Sequence, residues 1–411
     1  MALRLALWAH LARDPASLLR ADSPSYLAPA ANLAAGNGFS SSPAPPYAPE
    51  AFRTPGYPAF LAACRLATPD PRLPSALQAL LDAGTAVLAV SAAAALAPGP
   101  WTWAAALFYG LEPMTIAHSP LILSETLFGF LFIASLLFLL RAGPEGRAAP
   151  AFAAGLLLGA CTVTRPISAY LWLLLCLALA PSWRRRPRAL AALALGACLL
   201  PGLWCARNDR RFGVFSLSSI TGINLLYYDG AAALSTETGR PVEQEAAQLH
   251  ERAAPLAAGM NPMERSRLET ALALGLFARH PLAVARVHLV SGIKMLFGPG
   301  AELLAQELYG DRDAGGPQAP GGIAGRGTLG VLRRHPSLWL IVGFDGALLA
   351  LVYLLSLRGA LVAWRRGSFL AAAWLVPLVY LLVISTGGWC YYRFRVPLWP
   401  LFAALAAAGL P

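Results

Sequence analysis

The sequence predicts an all-α, polytopic membrane protein with about ten transmembrane helices. Of its 411 residues, 57% are hydrophobic and only 13% are charged, whereas soluble domains carry about 25% charged residues. Long apolar segments follow one another along the chain, and clusters of arginine lie in alternate loops between them. Together these observations indicate helices that cross a bilayer and exclude a soluble fold.

The N-terminal part of the chain, residues 1–72, contains no complete span. Residues 1–12 are apolar but too short to cross a bilayer, which takes about 20 residues, and we interpret them as the end of a first transmembrane helix that a misplaced start codon has shortened. Residues 13–72 are rich in Pro, Ser, Gly and aromatic side chains. Within them, residues 22–35 predict a short interfacial helix that Asp22 or Ser23 caps and Gly36 ends.

The remaining spans are assigned from hydropathy, and their orientation from the basic loops. The loops that carry Arg141 to Arg147, Arg184 to Arg188 and Arg358 to Arg366 are predicted to be cytoplasmic. Three parts follow: an N-terminal transmembrane module (1–206) whose first outer loop (13–72) is catalytic, a periplasmic or interfacial loop region (207–335), and C-terminal transmembrane helices (336–411). The predicted spans cover 73–97, 101–117, 121–140, 150–165, 167–181, 189–206, 336–357, 369–386 and 396–410.

The large outer loop contains an amphipathic part, residues 264–298. Residues 282–298 are apolar, but Arg286, His288 and Lys294 interrupt them, and an extra crossing would reverse the orientation of the basic loop at 358–366. We therefore predict an interfacial helix here. The run GDRDAGGPQAPGGIAGRG (310–327) predicts a flexible loop by its composition.

The formal net charge of +11 bears on the partners of the chain. Its basic residues are scattered among loops between apolar segments, so nucleic acid is not the expected partner. Anionic lipid head groups and a phosphorylated substrate fit better. The six cysteines form no CxxC pair and no Cys/His ligand spacing, so neither a zinc site nor a disulfide framework is predicted.

Four arginines lie at the predicted outer ends of apolar helices, where basic residues are not expected: Arg53, Arg165, Arg393 and Arg395. A bound anion would explain them, and Asp22 lies in the same layer. For Arg165 and Arg395 the alternative is that each side chain reaches up to lipid head groups. For Asp22 the alternative is a helix N-cap.

Three more carboxylates lie at membrane depth, where ionisable groups are functional candidates. Glu125 begins an inward-running helix, Glu112 precedes Pro113 near the end of an outward-running one, and Asp82 lies deeper. Asp82 is more simply explained by a hydrogen bond to a neighbouring helix, and for Glu112 a structural role at a kink is an equal alternative. His118 and His288 are interpreted as loop or interface residues rather than ligands.

Several segments, in order, resemble one enzyme family. They are DSPSYLAPAANLAAGNGFS (22–40), RTPGYPAFLA (53–62), SPLILSETLFGF (119–130), GLLLGACTVTRPIS (155–168), ARNDRRFGVFSLSSITGINLL (206–226) and YYRFRVPLWPLFAALA (391–406). The chain resembles the GT-C glycosyltransferases that use polyprenyl-phosphate-linked sugars, the group that includes the aminoarabinose transferase of lipid A and the dolichyl-phosphate-mannose-protein mannosyltransferases. It departs from them in its short first helix, in Phe394 where relatives have Tyr, and in residues 231–335, which match nothing.

The resemblance implies a GT-C fold in a bacterial inner membrane, with the active site on the periplasmic side. It implies a polyprenyl-phosphate sugar as donor and a lipid, glycan or protein as acceptor. Asp22 would be the general base, and transfer would invert the anomeric centre. Arg53, with Arg165 and Arg393, would hold the donor phosphate, and Tyr57 and Arg395 would also bind substrate. Glu125 would either orient the acceptor or help to bind a divalent cation, and no other cofactor is expected.

Two other functions fit the same residues. A transporter or flippase of a lipid-linked sugar would also need outer arginines, but it predicts ion sites or discontinuous helices near the midplane in both halves of the chain. A non-catalytic membrane assembly subunit is the other alternative. The crowding of polar residues at one face favours chemistry at one surface.

Overall fold

A computed structural model describes residues 1–311 and 326–411, and its regular structure is almost entirely helical. In the first half, the helices are α1 (Ala2–Leu11), α2 (Ser23–Ala34), α3 (Gly56–Ala67), α4 (Arg72–Leu96), α5 (Ala104–Gly110), α6 (Pro113–His118), α7 (Glu125–Ala142), α8 (Ala148–Thr164), α9 (Leu171–Leu179) and α10 (Pro187–Phe212). Two short 3-10 helices, Pro15–Leu18 and Pro166–Ser168, lie between them. Within the described ranges, the one β feature is an isolated bridge between Ser40 and Pro49.

The second half contains the helices of residues 207–335, the predicted outer loop region, and the last apolar helices. They are α11 (Ile220–Ile223), α12 (Ala231–Thr238), α13 (Val242–Ala253), α14 (Pro262–Arg279), α15 (Pro281–Phe297), α16 (Ala301–Tyr309), α17 (Arg326–Arg334), α18 (Leu338–Arg366), α19 (Ser368–Ile384) and α20 (Trp399–Ala408). A π-helix, Asn224–Gly230, joins α11 to α12, and a 3-10 helix, Tyr392–Leu398, leads into α20. The prediction of an all-α membrane fold is confirmed.

Among the described residues, four helices are long and apolar enough to cross a membrane: α4, α7, α10 and α18. They coincide with the predicted spans at 73–97, 121–140, 189–206 and 336–357. Helices α8, α9 and α19 are shorter and apolar. The predicted span at 101–117 is divided between α5 and α6, because Pro113 starts a new helix and the Glu112 side chain accepts a hydrogen bond from the Thr115 N–H. The total of ten crossings and the three-part division of the chain stay predictions.

Close approach of helix backbones holds the spans together. Helices α8 and α10 make an extensive contact at Gly155 and Gly196, where any Cβ atom would overlap the backbone of the other helix. Gly359 brings α18 equally close to α20 at Leu405. Small residues at such crossings allow van der Waals contact that larger side chains would prevent.

The outer region forms a small lobe with its own core. Leu226, Leu249 and Ala273 are among its buried members, and a capping box between Asn261 and Glu264 starts α14. Helices α15 and α16 together are apolar enough for a span, but they bend by 42° at residues 298–300, as a broken span or a re-entrant pair does. An interfacial position for 282–298 therefore stays a prediction. Most of the loop predicted at 310–327 lies outside the described residues.

The basic loops meet at one end of the bundle. Gly146 lies close to Arg186, since a Cβ atom on it would be 2.9 Å from the Arg186 side chain. The Arg366 guanidinium donates to the Leu96 carbonyl at 2.7 Å. The hydroxyl oxygens of Ser182 and Ser368 are 3.3 Å apart. Because α7 and α8 run the full depth of the bundle away from this end, residues 125 and 165 lie at the opposite end.

Candidate functional site

The Asp22 side chain lies at the start of the second helix but does not cap it. Helix α2 begins at Ser23, and Asp22 makes no side-chain hydrogen bond to its first turn. Ser23 fixes the chain instead: its hydroxyl accepts from the Arg20 N–H at 2.9 Å and donates to the Ile122 carbonyl at 2.8 Å. The N-cap alternative for Asp22 is therefore wrong.

Two arginines from distant parts of the chain bind this carboxylate. Arg53 Nη2 lies 2.8 Å from Asp22 Oδ1, and Arg393 Nη1 lies 2.9 Å from Asp22 Oδ2. Arg53 is itself held by the Ser25 hydroxyl at 2.9 Å and the Tyr26 hydroxyl at 3.0 Å, and its guanidinium stacks on the Tyr26 ring. Asp22 and the partners of Arg53 thus lie within about one turn, at the start of α2.

Arg393 continues the network to a second carboxylate. Its Nε donates to Glu125, which also pairs with Arg165 at 2.6 Å. Arg165 follows the last residue of α8, and its guanidinium faces the Phe394 ring at 5.9 Å. Asp22, Arg53, Glu125, Arg165 and Arg393 therefore form one connected cluster, which we call the outer cluster.

The two carboxylates of the outer cluster differ in access. The Glu125 side chain is 1% exposed, whereas the Asp22 side chain is 38% exposed. Burial raises the pKa of Asp22, but the charges of Arg393 and Arg53 lower it by more, so that its pKa lies below the ordinary aspartate value. Asp22 is thus an ionised carboxylate that a small molecule can reach.

The fold has known counterparts. The crystal structure of the oligosaccharyltransferase from Archaeoglobus fulgidus in its apo form superimposes with a TM-score of 0.50 at 13% sequence identity, over 98% of this chain and 50% of that chain. The chain has the GT-C fold. It spans about half the length of the oligosaccharyltransferase. ArnT from Cupriavidus metallidurans matches over 99% of this chain and 76% of its own, with a TM-score of 0.40 at 17% identity.

Sequence searches add no relative to this GT-C fold. The chain matches no protein-family model and no curated protein sequence. The likeness is therefore carried by the three-dimensional arrangement of helices.

Arg395, predicted to bind substrate in this GT-C fold, does not join the outer cluster. Its side chain is fully buried and pairs with Glu112 at 2.9 Å and with Asp345 at 3.3 Å. Its Nη1 donates to carbonyls of residues 295, 296 and 298. Protein acceptors surround the Arg395 guanidinium away from the outer cluster, which contradicts the head-group alternative. Substrate binding by Arg395 stays a prediction.

Tyr57 is also removed from the outer cluster. Its ring is completely buried, edge-on to Tyr26, and its hydroxyl donates to Gln78 Oε1 at 2.6 Å. Substrate binding by Tyr57 stays a prediction, because its hydroxyl is engaged by Gln78 in this structure. Tyr57 supports Tyr26, which contacts Arg53.

Two buried charged residues, Arg4 and Asp345, were not among the candidates predicted from the sequence. Asp82 is buried against Arg4 and the Tyr109 hydroxyl, which makes it a structural group as its simpler interpretation held. Arg4, an isolated charge in the apolar residues 1–12, was the signal for this partner. Asp345, the second partner of Arg395, was a similar lone charge within an apolar span.

The outer cluster brings together only two carboxylates that a metal ion could use as ligands. Among residues 1–311 and 326–411, no group of three or more His, Cys, Asp and Glu side chains comes together. Asp22 and Glu125 lie on either side of Arg393, so a guanidinium cation stands between the two carboxylates. A divalent cation bound with the help of Glu125 stays a prediction.

Proposed function

We propose that the protein is a glycosyltransferase that moves a sugar from a polyprenyl-phosphate donor to an acceptor at the membrane surface. The outer cluster carries this proposal: an accessible, ionised carboxylate lies within hydrogen-bond distance of two arginines, next to a third, at one end of an apolar bundle. A carboxylate can act as the base that takes the acceptor proton, and guanidinium groups can bind the donor phosphate. The arrangement therefore provides the two groups that a glycosyl transfer needs.

The transfer is a single displacement that inverts the anomeric centre. The acceptor oxygen attacks the anomeric carbon and forms the new glycosidic bond while its proton passes to Asp22. The bond between the anomeric carbon and the phosphate oxygen breaks, and its electron pair stays on the phosphate. Arginine charge then stabilises the leaving phosphate, which is usually the larger contribution to such catalysis.

The charge of the outer cluster suits a singly charged donor phosphate. Three guanidinium groups and two carboxylates leave one positive charge. Arg165 Nε is buried without a hydrogen-bond partner among the described residues, and it is a donor that a phosphate oxygen can accept from. Arg165 and Arg393 are thus the main phosphate ligands, while Arg53, held by Ser25 and Tyr26, mainly orients Asp22.

Donor binding also adjusts the base. In the unliganded cluster, Arg393 lowers the pKa of Asp22, which keeps the carboxylate ionised but makes it a weak base. A phosphate that draws Arg393 toward itself weakens that pairing. Asp22 therefore becomes a stronger base when the donor is in place.

The position of the basic loops supports an active site at the extracytoplasmic face of a bacterial inner membrane. Those loops meet at the end of the bundle opposite the outer cluster, and basic loops mark the cytoplasmic side. A lipid-linked donor fits that face, where the tail lies in the bilayer. The acceptor is a lipid, a glycan or a protein.

Mass spectrometry of lipid and glycan fractions tests this function. Cells with the wild-type chain should contain a glycosylated product that is missing from cells without it and from cells with Asp22→Asn. The variant should still insert and bind the donor lipid, since the amide keeps the shape of the side chain. A product that persists at the wild-type level with Asp22→Asn would contradict the proposal.

A further inference from the structure

Arg395 joins four separate elements in the protein interior. It lies in the 3-10 helix 392–398, pairs with Glu112 at the joint of α5 and α6, and pairs with Asp345 on α18. Its Nη1 lies 3.3 Å, 3.0 Å and 3.2 Å from the carbonyls of Met295, Leu296 and Gly298. These carbonyls end α15, where a helix leaves its last acceptors without intrahelical partners.

The same short helix carries Arg393. A 3-10 helix has about three residues per turn, so side chains two positions apart point in different directions. Arg393 accordingly reaches Asp22 and Glu125 in the outer cluster, while Arg395 reaches Glu112 and Asp345 in the interior. One turn of backbone thus links the outer cluster to the buried ion pairs of Arg395.

We propose that Arg395 is a positioning residue, whose buried anchor to Glu112, Asp345 and the end of α15 holds Arg393 between Asp22 and Glu125. The anchor is tight because the contacts reach three other parts of the fold, Glu112, Asp345 and the end of α15, so the turn cannot rotate without breaking several of them. Removing the guanidinium leaves buried carboxylates without their counter-charge, which is unfavourable in a water-excluded interior. The turn then shifts, and Arg393 shifts with it.

A readout of Asp22 itself distinguishes positioning from simple stabilisation. Arg393 lowers the pKa of Asp22, so displacement of Arg393 raises that pKa in the folded protein, whereas a loss of stability alone leaves it unchanged in the fraction that stays folded, on which the labelling is measured. Carbodiimide with glycine ethyl ester modifies protonated carboxyl groups, and Asp22 is exposed enough to react. The extent of labelling at Asp22 against pH, measured by peptide mass spectrometry on the full-length protein, gives the titration without requiring turnover.

Four variants carry the test. Arg395→Gln should move the labelling curve of Asp22 to higher pH, in the same direction as the reference variant Arg393→Gln, and Arg395→Lys should move it less, since an ammonium lacks the planar fork. Arg4→Gln is the matched control, because Arg4 is equally buried and also binds a carboxylate and helix-end carbonyls. It should lower thermal stability and leave the curve in place.

The outcome is decisive in each case. A curve for Arg395→Gln that coincides with wild type, while Arg393→Gln shifts it, would overturn the positioning role. If Arg395→Gln does not fold, Arg395→Lys and Glu112→Gln carry the same comparison, and unshifted curves in both would overturn it too.

The effect on transfer rests on the proposed function and is measured separately. A misplacement of about 1 Å costs about 10²-fold in turnover, and we expect a loss of that order for Arg395→Gln at equal amounts of folded protein. Shifted labelling in a protein without transferase activity would retain the positioning role and sink the proposed function.

Discussion

Asp22 Oδ2 and Arg393 Nη1 lie 2.9 Å apart, although 371 positions separate the two residues in the chain. The contact joins the first loop to the turn before the last helix, and Glu125 and Arg165 enter through the other side of Arg393. The outer cluster therefore exists only when the two ends of the chain are folded against each other. Four predictions follow from its geometry and from the fold that supports it.

Replacement of Arg393 should shift the acid limb of the pH profile. Activity requires ionised Asp22, so it is present above the pKa of Asp22 and is lost as the pH falls through that value. Because Arg393 lowers this pKa, Arg393→Gln should move the acid limb of kcat/KM to higher pH, in addition to lowering its height. The profile is measured with purified protein at saturating acceptor, and an unmoved limb would show that Asp22 is not the titrating group.

Replacement of Arg53 and replacement of Arg165 should have different effects on donor affinity. Arg165 has a buried nitrogen without a partner in the described part of the chain, whereas the Nε, Nη1 and Nη2 atoms of Arg53 are all engaged by protein. We expect Arg165→Ala to weaken the binding of a polyprenyl phosphate by about 1.5–3 kcal/mol, the worth of a charged hydrogen bond, and Arg53→Ala to reduce turnover more than binding. Direct titration of detergent-solubilised variants measures both affinities. The reverse order would assign the phosphate to Arg53.

Asp229→Asn should stabilise the protein above about pH 6. Burial raises the pKa of Asp229 to about 6, partly offset by its hydrogen bond from the Gly388 N–H and by His288. A carboxyl group with a raised pKa contributes stability below its ordinary pKa and loses it as the pH rises through the raised value. Each pH unit between the ordinary and the raised pKa costs about 1.4 kcal/mol of this stability. Asn keeps the acceptor oxygen and carries no charge, so Asp229→Asn should raise Tm at pH 7.

The same comparison at low pH is the control for Asp229. Near pH 4 the wild-type carboxyl is protonated in the folded protein, and Asp229→Asn should leave Tm unchanged there. Equal Tm values for the two proteins across the whole pH range would show that Asp229 is solvated rather than buried.

Gly155→Ala should destabilise the bundle. A Cβ atom at this position would overlap the Leu193 carbonyl of the facing helix, which is backbone and cannot move aside. Overpacking of this kind costs about 1–3 kcal/mol. Gly129→Ala is the matched control, because Gly129 lies inside α7 with nothing within 4 Å of its Cβ position, and Ala there should be neutral or stabilising by up to about 1 kcal/mol. Thermal unfolding in detergent compares the two.

Much of the outer cluster was predictable because its residues break the local pattern of the sequence. Asp22, Glu125, Arg165 and Arg393 are charges at the ends of apolar helices, and hydropathy with the basic loops assigns those ends to one face. Arg395 follows the same pattern, yet it lies in the interior. Nothing local distinguishes Arg393 from Arg395, since the direction of each side chain depends on the 3-10 turn between them.

The sequence by itself determined that the chain is a helical membrane protein, where its long spans lie and which ends carry charge, because hydropathy and the placement of arginine are local properties. Only the tertiary structure decided which charges pair. Asp345 and Glu112 take Arg395, and Arg4 takes Asp82, because a buried charge must find its counter-charge among helices that are distant in the chain. Of the two carboxylates in the outer cluster, Asp22 is the one that stays accessible, while Glu125 is buried.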